Sequence, residues 1–362
     1  MSRVVSKNLF NFKLEGLVDD EVKAMEAQFA QRMGSQESSE AKKVADRMME
    51  VQLRDDQESN NEFVSLMRSS AAPYIKVLAK HDALQYGGEQ TTTTSIKVPT
   101  SHDGEFDVPV EVYTPKVLAN ETKRAAYIYA HGGGAIALAA ADVRVPVQCT
   151  TVVMNVITFN VDYRLAPETK CPNNIKDFYE VIKFVSKNAE SLGIDPTKIV
   201  IGGESGGGYI VLGAMVLLAE RGEGDLVRLA IPVVPMIGDY CFSDPLAMTV
   251  EERKYHMVMR KTWKDIIAAD FEQQKTSPHL FPGKASEELL EKFSPVIILE
   301  AEFDMFITEA TRLANRLRRA GRLLEFAVVP GSIHGTRHLP GTKANKIFTD
   351  MYKTIAKEYV HS

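Results

Sequence analysis

The feature that most restricts the fold of this 362-residue chain is a five-residue motif, Gly203-Glu204-Ser205-Gly206-Gly207. An apolar run, 198–202, precedes the motif, and an apolar stretch of helical character, 209–218, follows it. When a strand turns sharply into a helix, the residues two before and two after the turning residue approach each other closely, so glycine is favoured at both positions. The pattern therefore predicts a strand, a tight turn and a helix that hold the Ser205 hydroxyl clear of a sheet.

From about Thr91 onward, short β-rich runs alternate with helical stretches. Strands that alternate with helices imply a mostly parallel sheet covered on both faces. We therefore predict an α/β fold, a three-layer sandwich with a mostly parallel, eight-stranded central sheet. The predicted strands are 94–98, 106–113, 125–130, 155–161, 199–202, 229–234, 295–299 and 324–329, and the predicted helices of this part are 177–186, 208–221, 308–319 and 343–359.

Two segments depart from this alternation. Residues 1–90 are rich in charged residues, Gln and Met, and we expect them to form an N-terminal helical cap segment with helices at 41–53 and 61–83, the second bent or split at Pro73. Residues 91–362 form the predicted main domain, which contains the alternating strands and helices and carries a second cap insertion at about 239–285. The residues that mark these helices are an apolar stripe, Val22, Met25, Phe29 and Met33, and two predicted N-terminal caps, Thr249 and Thr262.

Charge and composition narrow the range of partners. A net charge of −5 and a pI near 6.0 give no electrostatic attraction for nucleic acid or for an anionic membrane surface. The start of the chain lacks an apolar stretch of signal-peptide length, and no apolar run is long enough for a membrane span, so we expect a cytoplasmic protein. Three scattered cysteines, Cys149, Cys171 and Cys241, predict reduced thiols rather than a disulfide framework or a metal cluster.

A serine hydroxyl becomes a strong nucleophile only beside a base that takes its proton and an acid that orients the base. His334 lies in a glycine-bounded loop after the last predicted strand, and Asp304 lies in the loop after the strand before it. The order of Ser205, Asp304 and His334 along the chain is that of α/β-hydrolases. Glu302 and Glu309 lie close enough in sequence to remain alternatives for the acid.

A glycine triplet, Gly132–Gly134, follows His131 directly after the predicted strand 125–130. Glycines allow several backbone amides to turn towards one point. Acyl transfer needs such donors, because negative charge grows on the substrate's carbonyl oxygen in the transition state. We expect this loop to form an oxyanion hole, with His131 bracing the loop rather than transferring protons.

Together these motifs resemble the hormone-sensitive-lipase-like branch of the α/β-hydrolases, and the resemblance also includes 162–168 and Ser277-Pro278. It covers the chain from about Thr91 to the C-terminus. The resemblance implies the α/β-hydrolase fold with a helical cap. It also implies a nucleophile, an orienting acid, a base and an oxyanion hole, which are respectively Ser205, Asp304, His334 and the amides of Gly133, Gly134 and Gly206.

Several positions depart from the usual pattern of that branch. Ala135 stands where an aromatic residue is common and leaves space beside the oxyanion hole, so we expect it to contact substrate. Glu204 replaces the commoner Asp and is a second expected substrate contact, and Gly206 replaces Ala, which adds backbone freedom. Three further motif residues, Asp162, Arg164 and Glu168, are expected to brace loops around the site.

The sequence thus predicts a serine carboxylic ester hydrolase that acts through an acyl-enzyme on short- to medium-chain or aryl esters. The expected partner is a small-molecule ester, and the mechanism needs no metal ion or organic cofactor. An amide hydrolase or deacetylase of the same family remains an alternative, because the same residue types serve both reactions. A non-catalytic ligand receptor is a further alternative, and a homodimer is possible because dimers are common among relatives.

Overall fold

The structure, a computed structural model, describes residues 43, 47–48, 50–51, 54, 56–70, 88–100, 102, 104–118, 123–238, 259–338 and 341–362. Eight strands of these residues form one sheet. The strands are β1 (Thr91–Thr100), β2 (Phe106–Pro115), β3 (Arg124–Ala130), β4 (Ile157–Val161), β5 (Ile194–Glu204), β6 (Leu229–Val233), β7 (Val296–Ala301) and β8 (Leu323–Val329).

The spatial order of the strands is β1-β2-β4-β3-β5-β6-β7-β8. β2 pairs antiparallel with β1 and with β4, and every other neighbouring pair is parallel. Strands β4, β6 and β7 are buried along their whole length, as expected where helices cover both faces. The prediction of a mostly parallel, eight-stranded sheet is confirmed, and all eight strands were located.

The helices lie in two layers. The α-helices are α1 (57–70), α2 (Arg144–Met154), α3 (Asn173–Lys187), α4 (Gly206–Glu220), α5 (Phe271–Gln274), α6 (Glu287–Leu290), α7 (Ile307–Arg319) and α8 (Lys343–Ile355). Two further segments, Thr262–Ile267 and Ala356–Val360, are π-helical. Short 3₁₀ turns occupy Gly88–Gln90, Lys116–Leu118, Ala140–Val143, Gly224–Leu226, Pro282–Lys284 and Thr336–His338. Helix α2 escaped prediction because its sequence, RVPVQCTTVVM, combines an early proline with β-branched residues.

A hydrophobic core lies on each face of the sheet, between the sheet and the helices that cover it. One core packs side chains of α3, α4 and α7 against one face of the sheet, for example Phe178, Leu212 and Leu313. The other packs α2 and α8 against the opposite face, for example Met154 and Phe348. Helix α4 is buried from its start to Ala219, so the segment that follows Ser205 is fixed on every side.

The predicted cap segments are described only in part. From the N-terminal segment, Val51, Phe63 and Val64 are buried in the same core as α3 and α4. The predicted stripe from Val22 to Met33 lies outside the described residues, as do Pro73 and Thr249. Thr262 was wrongly predicted as a helix start, because helical residues 259–261 precede it and it is buried within the helix.

Two further expectations concern membranes and thiols. Among the described residues, no helix combines the length and the apolar character that crossing a membrane requires. Cys149 and Cys171 are free and buried. Cys241 lies outside the described residues.

Candidate active site

Ser205 occupies the turn between β5 and α4, with φ of 56° and ψ of −116°. A non-glycine residue at positive φ is uncommon, and here the flanking glycines leave the space that the turn requires. A Cβ atom on Gly203 would lie 2.5 Å from the carbonyl oxygen of Gly207, and one on Gly207 would lie 2.0 Å from that of Ala130. The turn therefore depends on glycine at both positions.

The structure brings Ser205, His334 and Asp304 into one hydrogen-bonded line. His334 Nε2 lies 2.9 Å from the Ser205 hydroxyl, and His334 Nδ1 lies 2.7 Å from Asp304 Oδ2. The other oxygen of Asp304 accepts a hydrogen bond of 2.8 Å from the amide of Phe306, which fixes the carboxylate. An ionised carboxylate only accepts hydrogen bonds, so Nδ1 carries the imidazole proton and Nε2 is free to accept the proton of the serine.

The surroundings of His334 set its pKa above the ordinary value for histidine. Burial lowers that pKa, but the hydrogen bond with Asp304 and the negative charges of Asp304 and Glu204 raise it by more. The Phe306 ring also packs edge-on against the imidazole, with 5.4 Å between ring centroids. The imidazole is thus oriented by its neighbours and favours holding a proton once it has received one.

The two alternative acids are engaged elsewhere. Glu302 Oε2 accepts a hydrogen bond of 2.8 Å from the amide of Gly331. Glu309 is buried, and its Oε2 accepts one of 2.8 Å from the amide of Gly238. The carboxylate beside His334 is therefore that of Asp304.

The glycine loop lies directly over the turn that carries Ser205. Gly133, Gly134 and Ala135 all have positive φ, of 95°, 65° and 60°. A Cβ atom on Gly206 would lie 2.6 Å from the amide nitrogen of Gly134 and 2.6 Å from that of Ala135. The amide nitrogens of Gly134 and Ala135 therefore crowd the first residue of α4, beside the serine, and the sequence did not suggest that the Ala135 amide would lie there.

His131 supports this loop from within. It is fully buried, its Nδ1 lies 2.9 Å from the Gly132 carbonyl oxygen, and its ring stacks on Tyr163 with 4.4 Å between centroids. The Tyr163 hydroxyl donates a hydrogen bond of 2.7 Å to the His131 carbonyl. Burial lowers the pKa of His131, so the ring is kept neutral.

The three motif residues expected to brace loops all contact other segments. Asp162 Oδ1 accepts a hydrogen bond of 2.8 Å from the amide of Ala140. Arg164 pairs with the buried carboxylate of Asp177 at 2.8 Å. Glu168 pairs with Arg68 of helix α1 at 2.6 Å.

The two expected substrate contacts do not reach open space. Ala135 is fully buried in the core, so within the described residues its methyl group lines no open cavity. The Glu204 carboxylate turns inward to Arg337 at 2.9 Å and to His338 at 2.7 Å. Burial alone would raise the pKa of Glu204, but the charges of His338 and Arg337 lower it to about 2. Glu204 is thus an anion that joins the serine turn to the segment after β8.

Arg337 and His338 were not identified from the sequence as residues of the site. Arg337 is buried, lies 4.8 Å from the centroid of the Tyr352 ring and donates a hydrogen bond to the Thr150 hydroxyl. The available signal was their place three and four residues after His334. Nothing in that spacing indicated that Glu204, distant in sequence, would be their partner.

Comparison with known proteins shows the family to which the chain belongs. Residues 127–338 match the family described as alpha/beta hydrolase fold. The chain is 30% identical over 241 residues to the carboxylesterase NlhH of Mycobacterium tuberculosis, a match that covers 65% of this chain and 72% of the relative.

Solved structures share the fold. An esterase of Pyrobaculum calidifontis superposes with a TM-score of 0.69 at 23% identity and covers 81% of this chain and 92% of that one. A bacterial heroin esterase superposes with a TM-score of 0.70 at 23% identity, covering 80% and 91%. The chain belongs to the α/β-hydrolase-fold family, in its hormone-sensitive-lipase-like carboxylesterase branch.

Proposed function

We propose that the protein is a serine carboxylesterase that works through an acyl-enzyme. The observation that carries this proposal is the hydrogen-bonded line from Ser205 through His334 to Asp304, with spacings of 2.9 and 2.7 Å. A nucleophile, its base and an orienting acid at such spacings are the parts that covalent acyl transfer requires. Kinship with a carboxylesterase favours an ester as the substrate.

In the acylation step, Ser205 Oγ attacks the ester carbonyl carbon while its proton passes to His334 Nε2. The resulting imidazolium is stabilised by Asp304, and negative charge develops on the former carbonyl oxygen. The amides of Gly133, Gly134 and Gly206 are the proposed donors to that oxygen. When the tetrahedral intermediate collapses, the bond to the alcohol breaks and the alcohol leaves with the proton from His334.

Deacylation repeats these steps with water. His334, neutral again, takes a proton from a water molecule, which attacks the acyl carbon. The second intermediate collapses, Ser205 recovers its proton from His334 and the carboxylic acid leaves. No atom other than those of the ester, water and the three side chains enters the balance.

The proposed substrates are short- to medium-chain or aryl esters, bound beneath a helical cap formed by residues 1–90 and the insertion at about 239–285. His334 Nε2 lies within hydrogen-bonding distance of the serine hydroxyl, which favours catalysis over a receptor role. Amide hydrolysis uses the same residue types and differs in delivering a proton to a poorer leaving group. A panel of acyl esters, aryl acetates and anilides distinguishes these substrate classes.

Replacing Ser205 with Ala tests the proposal. Loss of the nucleophile in an enzyme of this type lowers turnover by about a million-fold, so hydrolysis of p-nitrophenyl acetate should fall to the background rate. Because Ala removes one oxygen at the tip of a turn, the thermal unfolding midpoint should change little. A Ser205→Ala protein that folds and still turns over the ester at a measurable fraction of the original rate would refute the serine mechanism.

A further inference from the structure

We infer that Arg68 of helix α1 is a positioning residue for the glycine loop, because its guanidinium joins two chain segments that together hold the loop over Ser205. The inference rests on the proposed function, since it treats the amides of that loop as the donors to the oxyanion. It assigns to the N-terminal segment a part in the catalytic step, in addition to its proposed role as a cap.

All three nitrogens of the Arg68 guanidinium donate hydrogen bonds. Its Nε donates a hydrogen bond of 2.9 Å to the Ile136 carbonyl, and its Nη2 donates one of 3.1 Å to the Ala166 carbonyl. Its Nη1 and Nη2 also contact the two carboxylate oxygens of Glu168, at 2.8 and 2.6 Å. One side chain from α1 thus reaches the glycine loop and the 162–168 segment at once.

These two segments are also bonded to each other at the same point. The Ala166 amide donates a hydrogen bond of 2.9 Å to the Ala135 carbonyl. Arg68 therefore holds the carbonyl of Ile136 directly, and it holds Ala135 through the residue that bonds it. The amide nitrogen of Ala135, like that of Gly134, lies 2.6 Å from the position that a Cβ atom would take on Gly206.

The backbone of the loop needs external support. Ala135 and Leu138 have positive φ, of 60° and 70°, although neither is glycine. Such conformations persist only where surrounding contacts over-determine them. Within the loop, Ile136 and Ala137 donate to the Gly133 carbonyl at 3.0 Å, and Arg68 supplies the contact that ties this turn to α1.

The backbone of Arg68 is held in place because helix α1 is packed into the core. Phe63 and Val64, on the same helix, are buried in the core that also contains Ala135 and Ile136. Removing the Arg68 side chain, which is 37% exposed, should therefore leave α1 in place. Lysine cannot replace arginine here, because a single ammonium group lacks the planar fork that reaches two carbonyls and a carboxylate together.

The test compares two Arg68 variants with two matched controls and with Ser205→Ala. The readouts are kcat and KM with p-nitrophenyl acetate, and inhibition by a trifluoromethyl ketone, which forms a tetrahedral adduct on the serine. Arg68→Ala and Arg68→Lys should each lower kcat by about 10- to 100-fold with little change in KM, as expected when donors to the oxyanion are displaced. Inhibition by the ketone should weaken by the same factor. Added guanidinium should restore part of the activity of Arg68→Ala and none of that of Ser205→Ala.

Two variants serve as matched controls. Glu168→Gln removes the exposed ion pair but leaves both carbonyl contacts of Arg68, and its kcat should stay within about twofold. Arg47→Ala removes a similar bidentate pair, with Glu62 at 2.6 and 2.9 Å, that does not touch the glycine loop. Its kcat should be unchanged.

The inference is overturned if Arg68→Ala and Arg68→Lys keep the kcat of Arg47→Ala, or if Glu168→Gln loses as much as Arg68→Ala. It is also overturned if KM rises while kcat and ketone inhibition stay constant, since that result places Arg68 in substrate binding. Ser205→Ala separates this failure from failure of the proposed function. An active Ser205→Ala protein refutes the serine mechanism, whereas an inactive one beside a fully active Arg68→Ala refutes only the role of Arg68.

Discussion

At the scale of single residues, the charges around His334 determine the direction in which its pKa is shifted. Its pKa is raised because the contributions of Asp304 and Glu204 exceed the opposing effect of burial. The proposed mechanism needs a neutral imidazole in the free enzyme. The activity of the protein should therefore be lost as the pH falls through this raised pKa.

Replacing Asp304 with Asn tests this dependence. The change removes the negative charge that raises the pKa of His334, so the acid limb of the kcat/KM profile should move to lower pH. Turnover should also fall by about 10⁴-fold, because Asn does not hold the imidazole in the required tautomer. The pH profiles of the two proteins with p-nitrophenyl acetate measure both effects.

Glu302→Gln is the matched control for this prediction. It removes a neighbouring carboxylate whose contact is with the Gly331 amide and not with the imidazole. Its acid limb should stay where it is in the original protein, because the charges that raise the pKa of His334 are those of Asp304 and Glu204. An Asp304→Asn profile that keeps the original acid limb would contradict the assignment of Asp304.

Site residues could be predicted from the sequence where the chemistry permits only a few residue types. Ser205, Asp304 and His334 were expected together because few side chains serve as nucleophile, acid and base, and the structure brings them into contact. Glu204 and Ala135 were expected beside substrate because they adjoin these motifs. Their side chains point into the interior, and sequence adjacency carries no information about side-chain direction across a tight turn.

At the scale of elements, the start of α4 and the glycine loop are fitted to each other. A methyl group on Gly206 would meet the backbone nitrogens of Gly134 and Ala135, which lie 2.6 Å from the Cβ position. Backbone atoms cannot rotate out of the way as a side chain can. The two elements therefore approach more closely than an alanine at this position would permit.

We predict that Gly206→Ala lowers kcat by about 10- to 100-fold, because the loop must shift and its amides move from the developing charge. Gly213→Ala, in the same helix, is the control: its new methyl would meet the flexible end of Ile175, with Cδ1 at 2.4 Å. That variant should lose at most about 1–3 kcal/mol of unfolding free energy and keep its kcat. Steady-state kinetics with thermal melts separate the two effects, and a fully active Gly206→Ala protein would contradict the fit described here.

Element positions were predicted well where periodicity and flanking glycines agreed, as for β5 followed by α4. Helix α2 was missed because Pro146 and a run of β-branched residues oppose helix formation locally. Its burial through Val147 and Met154, in the core that also contains Phe348 of α8, outweighs that preference. Tertiary packing of this kind leaves no local trace in the sequence.

At the scale of the whole molecule, the site exists because parallel strands end at one edge of the sheet. Ser205 follows β5, Asp304 follows β7 and His334 follows β8, so parallel strands of one sheet bring groups that are distant in sequence to the same edge. This convergence could be predicted, since the topology of α/β folds is restricted. The contacts of Arg68 with Ile136 and Ala166 could not, because they depend on where an N-terminal helix packs on the finished sheet.

Covalent labelling is the most direct test of the central claim, that Ser205 is the acylated nucleophile activated by His334 and Asp304. A fluorophosphonate should add one equivalent to the folded protein with loss of fluoride, and mass spectrometry of the digested protein should place the adduct on Ser205. Asp304→Asn should label far more slowly, and Ser205→Ala should not label. An adduct on another residue, or labelling of Ser205→Ala at the original rate, would contradict the account.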